Sequence, residues 1–453
     1  MNRCTAVDYR QRRHLALTPM MPSSIPLLLL STLVAPDPGA PTLRLDPPAY
    51  EATPPMRLRV SLPEVEPQPR KVFVEVVDFD ATVHASSRRD TWGLGVLRRG
   101  TVLAATRGRG RPGCSGWASL AGGGGVCAGD GVRISDELRT PSTVTLAPDV
   151  DEDLPYRYAK IAEAGTPRLA RLPLSDELEQ LQAGTVPSEL PHVRTQGVVF
   201  VAIDRPYEVD GVSFVRTLEG DYLALDDVRP IVPPQTMGQP LIEVTLPIAF
   251  VHAGETPIVA QGDDGTLRPM GTAFRTARFD VTASRAVDDR DYVVSDAGWL
   301  VAREDVRLAT PKRRPSSVEP GERWIHVDLD EQVLVAYEGD RAVFVTLVST
   351  GKAGYETPRG QYRVRRKFVS RRMTGPDPDT GTYDIAEVPW AQYYHGGYAL
   401  HGAYWHDEFG QVRSHGCTNL PPSAARWLFR WTAPNIPAGW HGRYRAGTVV
   451  VFG

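Results

Sequence analysis

Apolar and polar positions alternate over short distances along most of this chain. Val72-Phe-Val-Glu-Val-Val77 and Thr101-Val-Leu-Ala-Ala105 are strand-length runs, with Gly95-Val-Leu-Arg-Arg-Gly100 between them. Short strands at that spacing, punctuated by turn residues, predict a small barrel. Further on, Trp324-Ile-His-Val-Asp-Leu329, Val333–Tyr337 and Ala342–Val348 read as successive strands, and Asp330-Glu-Gln332 and Glu338-Gly-Asp340 supply the reversals. A β-meander is expected there, followed by another strand at Gln361–Arg365. The pattern predicts one helix, Ser423–Trp431. Pro421 and Pro422 stand near its first turn, Pro434 lies past its end, and Ala424, Trp427, Leu428 and Trp431 share a face. One apolar run is of a different kind: Ile25-Pro-Leu-Leu-Leu-Leu-Ser-Thr-Leu-Val-Ala35. It is too short for a bilayer, which takes roughly 20 residues. It suits the apolar region of an export signal, with Arg12 and Arg13 as its basic flank.

A longer period lies above this pattern. Tyr158-Ala-Lys-Ile-Ala-Glu-Ala-Gly-Thr-Pro-Arg-Leu-Ala170 aligns with Ile248-Ala-Phe-Val-His-Ala-Gly-Glu-Thr-Pro-Ile-Val-Ala260. The closing stretches Asp221–Arg229 and Gly298–Arg307 also correspond. Two related β modules are the simplest account. The expected organisation is a signal region at 1–40, a proline-rich linker at 41–70, and a β module at 71–150. Two repeats at 151–235 and 240–310 then precede a C-terminal domain at 322–453, across the basic hinge Thr310-Pro-Lys-Arg-Arg-Pro-Ser-Ser317. The expected class is mainly β and multidomain.

Charge and cysteines narrow the setting. The net charge is −3 over 453 residues and no like-charged block occurs, so no basic stripe for nucleic acid is present. Cys4 lies in the segment that export would remove. Cys114 and Cys127 flank a glycine-rich stretch that lets its ends meet, and closing so short a loop would stabilise by about 3 kcal/mol. That leaves Cys417 as an unpaired thiol, and a leftover thiol in an exported chain is a candidate for reactivity.

The chemistry gathers around that thiol, in His401-Gly-Ala-Tyr-Trp-His-Asp-Glu-Phe-Gly-Gln-Val-Arg-Ser-His-Gly-Cys-Thr-Asn419. A cysteine nucleophile needs its thiolate. A neighbouring imidazolium and the N-terminus of the helix that begins a few residues on would both favour it. His415 is two residues away on the same segment, and His401 ends the apolar run Gly397-Tyr-Ala-Leu400; either could serve as base. Gly416 leaves the backbone bare where an acyl oxyanion would need amide donors. A zinc site from His401, His406, His415 and Cys417 is the chemical alternative, but glycines and aromatics interrupt the segment and no H-E-x-x-H motif occurs.

Ser414-His-Gly-Cys-Thr-Asn419 with the upstream His401-Gly402 resembles the signature of the L,D-transpeptidase (YkuD-like, ErfK-type) family. Val348-Ser-Thr-Gly-Lys352 and Thr357-Pro-Arg-Gly360 belong to the same resemblance, which covers roughly residues 322–453. It implies Cys417 as nucleophile, His401 as proton donor and acceptor, Ser414, His415 and Gly416 as shapers of the site, and Asn419 as its support. It also implies peptidoglycan stem peptides as substrates, no metal or organic cofactor, and a place in the periplasm or cell envelope without a transmembrane anchor. His395 and His406 are the other histidines near enough in sequence to compete with His401. The upstream repeats resemble bacterial SH3-like domains, which would add contacts to the cell wall. Two other outcomes share this reading: resolution of the acyl-enzyme by water, which makes a carboxypeptidase, and a non-catalytic wall-binding protein.

Overall fold

The structure, a computed structural model, describes residues 70–453 apart from 89–90, 111–112, 115, 141–145 and 242–244. The expected export signal and nearly all of the proline-rich linker lie outside the described residues. The fold is mainly β. The described residues form one compact unit.

Residues 71–135 form a cluster of short antiparallel strands around Val72, Val74, Val83, Leu97 and Ala118, all buried. Its strand β1 (Gly93–Arg98) reaches outward, pairing Gly95 with Arg443 and Val96 with Gly442 near the C-terminus. Cys114 and Cys127 form a disulfide beside Trp117.

The two repeated segments share an element order. Each opens on a strand, Arg157–Ile161 or Ile248–Val251. Each closes through a strand, a 3-10 turn and a strand, at 222–230 and at 300–309. In both, the opening strand pairs antiparallel with the closing one. The first copy adds a helix that the pattern did not predict, α1 (Ser175–Gln182). Its signal was local rather than periodic: Asp176 and Glu177 fill its first turn, and the Glu177 carboxylate receives the Leu174 N–H (2.8 Å) and the Arg171 guanidinium. From the same copy comes the long strand β2 (Val198–Val209).

The C-terminal domain packs two sheets around one helix. The meander is present as β3 (Arg323–Asp328), β4 (Val333–Glu338) and β5 (Arg341–Leu347), with the final strand Val449–Phe452 parallel to β3. The second sheet contains β6 (Arg366–Asp377), β7 (Gly381–His395), β8 (Tyr398–Gly402) and β9 (Thr418–Leu420). Helix α2 (Pro422–Trp431) sits with both: Ala424, Ala425, Leu428 and Phe429 join a core with Ile325, Phe344, Trp390 and Leu400. Trp427 stacks on Phe344 at 4.1 Å. Of the predicted stripe, Ala424 and Leu428 are buried and Trp427 and Trp431 half-buried, while Ala425 and Phe429 are buried too, because sheets lie on both sides of the helix. Its C-terminal carbonyls are met by the fully buried Lys367, whose ammonium donates to the Phe429 and Thr432 carbonyls and to the Thr432 hydroxyl.

A buried polar knot joins residues 71–135 to this domain. Arg98, 4% exposed, donates to Glu387 (3.0 Å) and to His441 Nε2 (2.7 Å), and its Nε lies 3.1 Å from Asp80. The Ser370 hydroxyl donates to the second Glu387 carboxylate oxygen. Removing one partner of such a pair strands the other charge, so Arg98→Met should destabilise the protein by about 3–5 kcal/mol. The double change Arg98→Met with Glu387→Leu should recover part of that loss. Urea unfolding of the full chain measures both; an Arg98→Met midpoint equal to the parent's would mean that the knot holds nothing together.

Candidate active site

β8 and β9 run parallel, with Leu400 opposite Thr418, His401 opposite Asn419 and Gly402 opposite Leu420. Side chains alternate along a strand, so His401 and Asn419 share a face, and Cys417, two residues before Asn419, lies on it too. All three line one cleft of about 340 Å³. Ser414 and His415 line it as well. Gly416, between them and Cys417, is not among the lining residues. Of the two histidines left open as base, both are brought here, but differently.

His401 is 2% exposed. Its Nδ1 lies 3.2 Å from the Gly402 carbonyl, so Nδ1–H donates there and Nε2 keeps its lone pair. Burial pulls its pKa down to about 4, against the small opposing effect of that carbonyl. The ring is therefore a neutral base at pH 7. His415 has a different set of partners. Its Nε2 is 3.0 Å from the Asp377 carboxylate, its ring stacks on Tyr383 at 5.0 Å, and Tyr355 meets it edge-on at 4.7 Å. The hydroxyl of Thr380, then its backbone amide and neighbouring groups including His415, hold Asp377 below the usual carboxylate range.

The other two histidines have different surroundings. His406 lines the cleft, but its Nδ1 accepts the Glu408 N–H (3.3 Å) and its Nε2 lies 3.0 Å from the Asn419 side-chain amide. The atom of Asn419 that faces His406 Nε2 is its side-chain nitrogen, Nδ2. Burial pulls His406 down to about 4 as well. His395 is exposed and packs against Tyr362 and Tyr398, away from the cleft-lining residues.

Cys417 is the free cysteine among the described residues. Part of its side chain reaches the cleft surface, yet the thiol itself is desolvated, and burial pushes its pKa up to about 11 although the Ala399 backbone amide pulls the other way. As a thiol it is 3.7 Å from the Gly397 carbonyl. This differs from the expected acidic thiol, for two reasons. The candidate base His401 is uncharged, so it presents no imidazolium to the sulfur. The helix α2 begins only after β9, some three residues of extended chain on, or roughly 10 Å, and a helix dipole acts over about one turn.

The loop geometry explains the flanking sequence blocks. The Ser414 hydroxyl accepts the Gly416 N–H (3.0 Å) and donates to the Cys417 carbonyl (2.5 Å). The Gly416 amide is thus already engaged and is not the free oxyanion donor that the sequence suggested. Gly416 has φ +107°, and a Cβ there would sit 2.5 Å from the Tyr398 ring. Ser349 exchanges both backbone hydrogen bonds with Asn419 at 2.9 Å, Lys352 N–H bonds the Ser414 carbonyl, and the Thr357 hydroxyl donates to the Gly416 carbonyl. The Val348–Lys352 and Thr357–Gly360 blocks are braces for the cysteine loop. Gly351 has no room for a side chain, since its Cβ would lie 1.9 Å from the Tyr355 carbonyl.

Sequence reasoning missed Asp377 and Tyr383, which sit on the hairpin joining β6 to β7, and Val198 and Phe200 on β2, all of them lining the cleft. No spacing rule connects positions so far apart in the chain. Among the described residues, no group of three or more His, Cys, Asp or Glu side chains converges to hold a metal ion, and no helix is long and apolar enough to cross a membrane.

A β-rich domain with a thiol and a buried neutral imidazole on one face of two parallel strands is the class of site that the chain carries. Residues 322–451 match the family model of the L,D-transpeptidase catalytic domain (YkuD). No curated protein matches the chain. Among solved structures, the catalytic domain of the E. faecium L,D-transpeptidase is 26% identical, over 29% of this chain and 98% of that one, with a TM-score of 0.25. An L,D-transpeptidase from Stackebrandtia nassauensis is 26% identical over 30% of this chain and 57% of that one, with a TM-score of 0.22. L,D-transpeptidase 3 from Mycobacterium tuberculosis is 19% identical over 38% and 79%, with a TM-score of 0.25.

The raised thiol pKa has a direct consequence. Only the thiolate is alkylated, and it is scarce well below its pKa. The rate of Cys417 modification by iodoacetamide should climb about tenfold per pH unit from 7 to about 10. Peptide mass mapping against pH follows it; a plateau reached below pH 8 would mean an acidic, ion-paired thiol instead.

Proposed function

We propose that the C-terminal domain is a peptidoglycan L,D-transpeptidase that works through a thioester on Cys417. The observation that carries this is that Cys417 and His401 line one cleft, His401 standing opposite Asn419 across β8 and β9 with its Nδ1 held by the Gly402 carbonyl. The match of residues 322–451 to the L,D-transpeptidase catalytic domain supports peptidoglycan stem peptides as the substrate class. The Cys114–Cys127 bridge favours export to the cell envelope, since such bonds persist in oxidising compartments.

In this reading, Cys417 attacks the carbonyl between the L-residue and the terminal D-alanine of a stem tetrapeptide. The S–C bond forms as the thiol proton moves to His401. That proton then passes to the D-alanine nitrogen as the C–N bond breaks, leaving a thioester. An amine of a second stem attacks the thioester, His401 takes its proton, the new amide forms, and the proton returns to the departing sulfur. Because both groups rest neutral, proton transfer accompanies attack rather than preceding it. The developing oxyanion needs amides other than that of Gly416. Asn419, joined to His406 on one side and Ser349 on the other, keeps β9 in register.

Incubating the protein with a disaccharide tetrapeptide and reading products by mass tests the assignment. A cross-linked dimer with loss of D-alanine is expected; tripeptide alone would indicate hydrolysis, and no product at all would leave only a wall-binding role. Cys417→Ala should abolish turnover. His401→Ala should cost about 10² to 10⁴ in rate, far more than His395→Ala. A His406→Ala loss larger than that of His401→Ala would give the base role to the wrong ring in this proposal.

A further inference from the structure

We propose that β2, a strand of the first repeated segment, is a wall of the substrate cleft, and that Val198 sets which peptides reach Cys417. The inference rests on the transpeptidase reading only for the identity of the substrate.

β2 pairs in parallel with β7: Val198 stands opposite Tyr383, Val199 opposite Asp384 and Phe200 opposite Ile385. Alternation puts Val198, Tyr383, Phe200 and Ile385 on one face, and all four line the cleft that holds Cys417. Val199 points the other way, into a core with Val201 and Ala159. The pairing is tight. Gly197 has φ +65°, and a Cβ on it would lie 2.0 Å from the Thr382 carbonyl. Arg372 of β6 binds Asp384 of β7 and lies 3.2 Å from Glu219, which also pairs with Arg168, so the hairpin is tied to the upstream segment by charge as well. Phe200 packs near Trp405, at 6.3 Å between ring centres, and edge-on to Tyr404 at 5.9 Å.

The lining of the cleft is mixed as a result. Val198, Phe200, Met373, Ile385 and Trp405 are its apolar residues, and Asp377, Thr380, Arg413, Ser414 and His415 are among its polar ones. Such a slot takes an extended peptide that shows small methyl-bearing side chains to the apolar residues and hydrogen-bonding groups to the polar ones. The C-terminal domain supplies these polar residues and the thiol; without β2 the apolar lining would lack Val198 and Phe200. Phe200 is 7% exposed and inside a core, whereas Val198 is half-buried and packs only against that core's edge, so Val198 is the residue whose change disturbs the packing less while altering the wall.

The test uses the full chain with Val198→Trp, which fills the slot, and Val198→Ala, which widens it. Two thiol reagents, iodoacetamide (small, polar) and N-phenylmaleimide (bulky, apolar), are timed at Cys417 by peptide mass mapping, alongside the KM for the tetrapeptide. Val198→Trp should slow N-phenylmaleimide about tenfold and iodoacetamide less than about twofold, and raise the KM about tenfold with little change in kcat. Val198→Ala should shift the reagent ratio the opposite way. A ratio that moves in neither variant overturns the proposal, whatever happens to turnover. A ratio that moves as expected in a protein with no peptide turnover leaves the wall standing and removes the transpeptidase reading instead.

Discussion

Everything at the site depends on β8 and β9 being parallel and in register. That pairing puts a thiol and an imidazole on one face, but it also sets a problem of connectivity. Parallel neighbours cannot be joined by a tight turn, so the chain must cross from the end of β8 back to the start of β9. Here the crossing, residues 403–417, contains no helix to stiffen it. It is held from outside. The Arg275 guanidinium donates to the Asp407 and Phe409 carbonyls, Arg307 donates to the Gly410 carbonyl (2.8 Å), and the Gln235 and Thr236 amides bond the Asp407 carboxylate. Tyr158 stacks on Tyr404 at 3.9 Å. The upstream repeats thus do for this loop what a crossover helix does elsewhere, and they hold Trp405 and His406 where they line the cleft.

Desolvation then decides the protonation states. Burial raises the Cys417 thiol and lowers His401, so each is driven toward its neutral form. A preformed thiolate–imidazolium pair would need solvent or neighbouring charge to support it, and the charged residues nearby are already committed: Asp377 to His415 and Thr380, Arg413 to Glu408. In the proposed mechanism the desolvated thiol rests protonated until a carbonyl is placed beside it.

How much of this the sequence disclosed follows from what kind of interaction was involved. The meander, α2 and the cysteine loop were legible because each rests on residues close together in the chain: turn residues between β3, β4 and β5, prolines at the start of α2, and Ser414 bonding to Gly416 and Cys417 within four positions. The short helix α1 was missed because its support is a pair of charge contacts to Glu177 rather than an apolar period. The acidity expected of Cys417 failed because burial, which outweighs nearby dipoles here, is a tertiary quantity. The cleft wall at Val198 was out of reach for the same reason: a β-branched residue at the head of a strand looks alike whether it faces solvent, a core or a ligand.

The buried knot around Arg98 belongs to the same account, through the shape of β7. That strand is not straight. Its pairing with β6 shifts between Arg371 and Met373, leaving Ala386 and Glu387 opposite a single residue, and Glu387 and Trp390 adopt φ +46° and +58°. Such conformations cost of order 1–3 kcal/mol each in a non-glycine residue and persist only where surroundings impose them. The surroundings here do so: Arg98 and Ser370 take both Glu387 carboxylate oxygens, Tyr158 donates to the Glu387 carbonyl at 2.8 Å, and Trp390 Nε1 donates to the Asp153 carbonyl. The bend they enforce separates β7 into two halves with different tasks. The half after the bend packs on α2 and runs alongside β8; the half before it leans onto β2 and carries Tyr383 to His415. Contacts from residues 71–135 and from the first repeat therefore meet on one bulge, and the direction in which the cleft's hairpin projects over Cys417 is set there, by charges and hydroxyls well away from the thiol.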